Sequence, residues 1–89
     1  MIRTSITIIN KLGLHARAAA KFVTMASVFA CDVRLSKDSR TVNGKSIMGV
    51  MMLAAGQGTQ LELVTDGPDE EEAASMLAEL VAKRFGEPQ

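Results

Sequence analysis

Hydrophobic and polar positions along the chain follow two different periods, which predict strands and helices in turn. Residues 2–9 (IRTSITII) are β-branched and partly alternating, as is typical of a strand. Residues 31–37 and 59–65 alternate between apolar and polar side chains, and a short returning strand over 40–42 follows a turn at Asp38-Ser39. These four segments predict a sheet with one buried face.

Apolar residues recur at spacings of three and four in the segments between, which is the period of an amphipathic helix. One such helix is predicted from Ala16 to about Phe29. A short second helix over 46–53 can be capped by Ser46. Its inward-pointing residues are predicted to be Ile47, Val50 and Leu53.

The last predicted helix covers about residues 69–85. It begins with four acidic residues and ends with Lys83 and Arg84, an order that suits the helix macrodipole. Its predicted inner stripe is Ala73, Leu77, Leu80, Val81 and Arg84.

The predicted element order is strand, helix, strand, strand, short helix, strand, helix. No repeat or linker interrupts it, so we expect residues 1–89 to form one domain of the α+β class. All helices on one face of the sheet is the economical way to build one small core.

Composition narrows the function. The only aromatic residues are three Phe, so no platform for stacking bases is present, which argues against single-stranded nucleic acid binding. Cys31 is the single cysteine and is expected to be a buried apolar residue, without a disulfide or a metal site. We expect a cytoplasmic protein, because no secretory signal and no bilayer-length apolar run is visible.

Charge divides along the chain although it cancels in total. Residues 1–45 carry eight Lys and Arg against two Asp, a net charge of +6, and residues 46–89 carry the opposite −6. Solvated faces of different charge would account for this, and so would a basic half that meets phosphate groups or acidic partners.

His15 is the only histidine and stands immediately before the first predicted helix. The backbone N–H groups of Ala16 and Arg17 at the helix start have no intrahelical partner and, with the helix dipole, form an anion site beside the imidazole. Arg17 adds a planar guanidinium suited to phosphate. These features favour a phosphoryl group carried on His15.

Two segments resemble the histidine-containing phosphocarrier (HPr) family of the bacterial phosphotransferase system. They are residues 10–23 (NKLGLHARAAAKFV) and residues 43–55 (NGKSIMGVMMLAA), and the resemblance spans nearly the whole chain. It implies an open-faced β-sandwich, with a four-stranded antiparallel sheet and three helices on one face (βαββαβα).

The resemblance also implies a function in sugar uptake or nitrogen-related regulation. Enzyme I would phosphorylate His15 on Nδ1, and the group would pass to IIA-type acceptor proteins. Arg17 would stabilise the phosphate and the amide of Ala16 would line the site. We expect a monomeric carrier without cofactor or metal, not a self-sufficient enzyme, and with no nucleic acid or membrane insertion.

Two positions qualify the resemblance. Many family members have proline after the arginine, where this chain has Ala18, so we expect an altered transfer rate or partner preference rather than loss of function. Ser46 aligns with a serine that HPr kinase/phosphorylase modifies in some bacteria. The hypothesis is that Ser46 both caps the second helix and is a regulatory position, where a phosphate would add negative charge and weaken docking of acidic partners.

The second helix is rich in methionine. Eight residues cannot bury every apolar side chain of IMGVMML, so Met48 and either Met51 or Met52 are expected at the surface. Exposed methionines suit a surface that adapts to several partners. The predicted partner-binding residues, expected beside His15, are Lys45, Ile47, Met48, Met51 and Met52. Their Met-rich pattern also resembles the nitrogen-related branch of the family.

Three other functions have less support in the sequence. Gly44-Lys45-Ser46 suggests a nucleotide-binding loop, but the glycine required five residues earlier is Ser39. If the chain were a scaffold or a ligand-sensing domain, His15 would have no part in its function. A nucleic acid binder would use the +6 half, yet the chain lacks a basic helix.

Overall fold

The computed structural model describes residues 1–89. Four antiparallel strands form one sheet in the order β1-β4-β2-β3. The strands are β1 (Ile2–Thr7), β2 (Asp32–Lys37), β3 (Arg40–Asn43) and β4 (Gln60–Asp66). Three helices join them, namely α1 (Ala16–Ala26), α2 (Ile47–Met52) and α3 (Glu70–Ala82). The predicted α+β fold and its element order are confirmed.

The sheet buries the face that the alternation predicts. Ile6 of β1 pairs with Leu61 of β4, and Leu35 of β2 pairs with Leu63 of β4, and all four are buried. On the other face Arg3 forms an exposed ion pair with Glu62 at 2.8 Å. The apolar layer is covered by α1 and α3, whose buried stripes include Phe22 and Leu77.

The first helix is shorter than predicted. It ends at Ala26 instead of Phe29, because Val28 and Phe29 donate to carbonyls three residues back and tighten the chain into turns. Phe29 is nevertheless buried, since the turn folds it back onto the core.

The third helix is also shorter, and one of its predicted core positions is wrong. It ends at Ala82 and is followed by a 3-10 turn over Arg84–Gly86. Arg84 is exposed and Phe85 is buried in its place, because Arg84 and Phe85 adopt left-handed backbone conformations that rotate Phe85 inward. Lys83 and Arg84 therefore follow the helix instead of lying in its last turn.

Ile47 is the other incorrect core prediction. Val50 and Leu53 are buried as expected, but Ile47 is 44% exposed. The six-residue helix presents one narrow stripe to the core, which Val50 occupies, and the buried Leu53 follows at its C-cap. Separately, no helix of the protein has the length and apolarity required to span a bilayer.

Candidate functional site

A short loop carries His15 to the start of α1. The backbone of Gly13 has a φ of +68°, which glycine adopts without strain, and its N–H donates to Asn10 O. The N–H of Leu14 then donates to Ala55 O at 2.8 Å, which ties the loop to the segment that follows α2. The loop is therefore fixed on both sides before the chain reaches His15.

His15 is the N-cap residue of α1, but its side chain makes no capping hydrogen bond. Its carbonyl accepts the N–H of Ala19, whereas the N–H groups of Ala16, Arg17 and Ala18 have no acceptor in the protein. Three unpaired donors and the positive end of the helix dipole thus lie at the helix start that His15 caps, and those of Ala16 and Arg17 are the two that the sequence predicts.

The imidazole is held by a carboxylate from the C-terminal tail. His15 Nε2 lies 2.5 Å from Glu87 Oε2, and the two side chains are 28% and 14% exposed. The hydrogen bond with His15 is the main cause that lowers the pKa of Glu87, helped by a second bond from Asn10. With Nε2 occupied, Nδ1 is the ring nitrogen that has no protein partner.

Arg17 stands beside the histidine on the exposed side. Both residues line an open pocket, and the guanidinium of Arg17 makes no hydrogen bond or ion pair within the protein. It is therefore free to turn toward an anion bound at the helix start. The pocket is completed by the loop and the tail, through Lys11, Leu12, Glu87, Pro88 and Gln89.

The Met-rich helix presents its side chains to solvent. Met48, Met51 and Met52 are 76%, 43% and 60% exposed, so the predicted exposure is confirmed. Lys45 is half-buried and its ammonium donates to Phe29 O at 2.6 Å, so its charge is engaged within the fold. We call Ile47, Met48, Met51 and Met52 the methionine patch. Helix α2, which carries it, packs against α1.

Ser46 caps α2 as expected. Its Oγ accepts the N–H of Gly49 at 3.1 Å, and the side chain is half-buried. The neighbouring turn cannot cradle a nucleotide, because its N–H groups are already used. Gly44 donates to Val33 O, Lys45 to Asn43 Oδ1 and Ser46 to Asn43 O.

Glu87 and Asn10 belong to the site, although the sequence pattern does not predict either of them there. Asn10 is fully buried, and its Nδ2 donates to Gly13 O at 2.8 Å and to Glu87 Oε1 at 3.0 Å. The only local signal for Glu87 was an isolated acidic residue after Phe85-Gly86, which the sequence alone does not connect to residue 15. The structure contains no group of three His, Cys, Asp or Glu side chains arranged to hold a metal ion.

Comparison with known proteins shows which family the chain resembles. Residues 2–83 match the family described as PTS HPr component phosphorylation site. A phosphocarrier protein HPr of Cupriavidus necator is 58% identical over 87 residues, which cover 98% of each chain. A crystal structure of HPr from Thermoanaerobacter tengcongensis superposes with a TM-score of 0.96 at 47% identity over 100% of both chains.

A second structure from Thermoanaerobacter tengcongensis is described as an HPr dimer. It superposes with a TM-score of 0.79 at 48% identity, covering 98% of this chain and 100% of that one.

Proposed function

The chain belongs to the HPr family of phosphotransferase-system phosphocarriers, and we propose that His15 Nδ1 is the atom that carries the phosphoryl group. Proteins of this family are carriers and not enzymes. The observation that supports His15 most directly is its ring geometry. Nε2 is bound to Glu87, while Nδ1 is unpartnered at a helix start with three free N–H donors.

Phosphoryl transfer can use the free Nδ1 of His15 as the nucleophile and the N–H donors at the helix start as the phosphate site. The lone pair of His15 Nδ1 attacks phosphorus, and the bond between phosphorus and the donor's atom breaks with its electron pair returning to the donor. The N–H groups of Ala16 and Arg17 and the guanidinium of Arg17 then neutralise the phosphoryl oxygens. Few contacts on an exposed site hold the group only modestly, which lets it pass onward.

We take the donor to be phosphorylated enzyme I and the acceptors to be IIA-type proteins. The methionine patch is their proposed docking surface, since its flexible side chains can fit more than one partner. In phosphorylation by enzyme I, Met48→Ala should raise the KM for the carrier protein more than it lowers kcat. Met76→Ala is a matched control, because Met76 is 40% exposed on α3, outside the patch. Equal effects of the two variants would exclude the patch as the docking surface.

Ser46 is the proposed regulatory position. A phosphate there would add charge beside the methionine patch, next to Ile47, and weaken docking of acidic partners. Kinetics of enzyme I with Ser46→Asp and Ser46→Ala test this, and equal KM values for the two would exclude it. We also propose that the carrier works as a monomer, which light scattering at working concentration would decide.

The central experiment uses purified protein with phosphoenolpyruvate, Mg²⁺ and enzyme I. Intact mass should reveal one added phosphoryl group that is lost on acid treatment, because phosphohistidine is acid-labile and phosphoserine is not. His15→Ala should remain unmodified and Ser46→Ala should be modified normally. An adduct that persists in His15→Ala would place the carrier atom elsewhere, and no adduct beside a phosphorylated family member would remove the carrier role.

A further inference from the structure

The carboxylate of Glu87 is held from two directions although it lies 72 residues from His15. One oxygen faces His15 Nε2 at 2.5 Å, and the other accepts from Asn10 Nδ2 at 3.0 Å. Its side chain is only 14% exposed. Such a carboxylate is placed by the fold and does not sample many positions.

The fold returns the tail to the site by a definite turn. Arg84, Phe85 and Gly86 have successive φ values of +57°, +55° and +80°, which reverse the chain after α3. Phe85 is buried at 1% exposure, and Lys21 on α1 donates to its carbonyl at 2.7 Å. Two left-handed non-glycine residues are costly, so the packing of Phe85 must outweigh that cost.

The side-chain amide of Asn10 determines whether a hydrogen-bond donor or an acceptor can stand at the position of Glu87 Oε1. Its Nδ2 donates to both Gly13 O and Glu87 Oε1, whereas its Oδ1 is buried without a hydrogen-bond partner. The opposite amide orientation would place Oδ1 against two acceptors. Asn10 therefore requires an acceptor at the position of Glu87 Oε1.

An ionised carboxylate can only accept hydrogen bonds, and the contact with His15 lowers the pKa of Glu87. A neutral His15 must then carry its proton on Nε2, which leaves the lone pair on Nδ1.

We propose that Glu87 is a positioning residue for phosphoryl transfer, holding the His15 ring with Nε2–H inward and the Nδ1 lone pair toward the free amides of α1. This inference rests on the proposed function of His15. The bond from Nδ1 to phosphorus forms as the donor's bond breaks, and Nε2 keeps its proton throughout. The ring that results is formally cationic, and Glu87 balances its charge.

Glu87→Gln tests the polarity of this contact while preserving its shape. Asn10 needs an acceptor, so the glutamine oxygen should face Asn10 and its NH₂ should face His15 Nε2. The ring must then offer a lone pair on Nε2 and carry its proton on Nδ1, the reacting atom. Glu79→Gln is the matched control, because Glu79 is an exposed residue on α3 that pairs with Lys83.

Two readouts separate positioning from simple folding. Nitrogen-15 NMR of unphosphorylated protein at a pH where His15 is neutral reports which ring nitrogen is protonated. Wild type and Glu79→Gln should carry the proton on Nε2, and Glu87→Gln should carry it largely on Nδ1. Transfer from enzyme I should fall by up to about 10⁴-fold in kcat for Glu87→Gln, with KM little changed, which is the loss seen when a catalytic histidine is held in the wrong tautomer. Glu87→Ala should lose about 10-fold, since it frees the ring without reversing it.

The outcomes are distinguishable from those for the proposed function. If wild type is phosphorylated on His15 and Glu87→Gln transfers equally well with its proton still on Nε2, Glu87 has no positioning role. If wild type shows the Nε2 tautomer and no phosphorylation, the carrier role itself fails and this inference falls with it.

Discussion

Gly13 lies so close to Ala55 that a Cβ built on it would stand 2.6 Å from the carbonyl oxygen of Ala55. That carbonyl also accepts the N–H of Leu14, the residue directly before His15. The approach of two backbones thus sets where the histidine enters α1.

Gly13→Ala should therefore disturb both stability and transfer. We expect a loss of about 3–4 kcal/mol in the free energy of unfolding, from left-handed strain and the clash together. Gly58→Ala is the control, because Gly58 has a φ of +90° with open space around it and should lose only about 1–2 kcal/mol. Equal losses in urea denaturation would mean that the contact with Ala55 does not constrain the loop.

Arg17 should act on the phosphoryl group and not on the fold. It is exposed and makes no internal bond, so Arg17→Ala should leave the unfolding midpoint unchanged. Transfer from enzyme I should fall about 10- to 100-fold, the value of a charge-assisted hydrogen bond to phosphate. Arg17→Lys should be intermediate, since it keeps the charge without the planar fork. Single-turnover kinetics measure this, and a normal rate for Arg17→Ala would remove the assigned role.

The contact between His15 and Glu87 should be detectable through the pKa of Glu87. Replacing His15 with Ala removes the main cause of the lowered pKa of Glu87, so that pKa should rise toward its ordinary value of 4.5. The pKa of Glu79, which Lys83 lowers, should not change. Carbon-13 NMR titration of the carboxyl groups follows both, and an unmoved Glu87 would contradict the contact.

Ser46 should contribute to stability whether or not it is phosphorylated. Ser46→Ala removes the acceptor for Gly49 N and should cost about 1 kcal/mol. Ser46→Thr keeps a capping hydroxyl and should lose less. Ser75→Ala on the exposed side of α3 should stay within about 0.5 kcal/mol of wild type. Thermal unfolding compares the three, and a wild-type midpoint for Ser46→Ala would exclude the cap.

Asp69 should make stability depend on acid pH. Its carboxylate accepts the N–H groups of Ala30 and Cys31, and the bond from Ala30 is the main cause that lowers its pKa below 3.8. A lowered pKa stabilises the fold above the unfolded value and loses that effect as pH falls through the folded one. The free energy of unfolding of the wild type should therefore be larger than that of Asp69→Asn at neutral pH. The difference between the two should narrow below about pH 4. A difference that stays constant down to pH 2 would contradict this.

The helices, the strands and the unpaired amides after His15 could be predicted from the sequence, because these features depend on residues that are close together in the chain. Alternation places Leu61 and Leu63 on one face whatever the rest of the chain does, and a three-to-four spacing places Phe22 and Ala26 on one stripe. The unpaired amides after His15 follow from the start of any helix. Exposure of the methionines followed from counting what a short helix can bury.

Tertiary structure alone decided the rest. Whether Ile47 or Val50 enters the core depends on how α2 sits against α1 and β3, and its own period does not specify this. The basic and acidic halves of the sequence also meet in the fold, since Arg3 of β1 forms an ion pair with Glu62 of the neighbouring strand β4.

The carboxylate that orients His15 is the clearest case. Glu87 reaches His15 because Phe85 packs into the core and three residues with left-handed backbone conformations reverse the chain. A local pattern determines backbone period and exposed donors, because those depend on residues within one turn. A contact across 72 residues depends on the packing of the whole fold, and no local pattern encodes it.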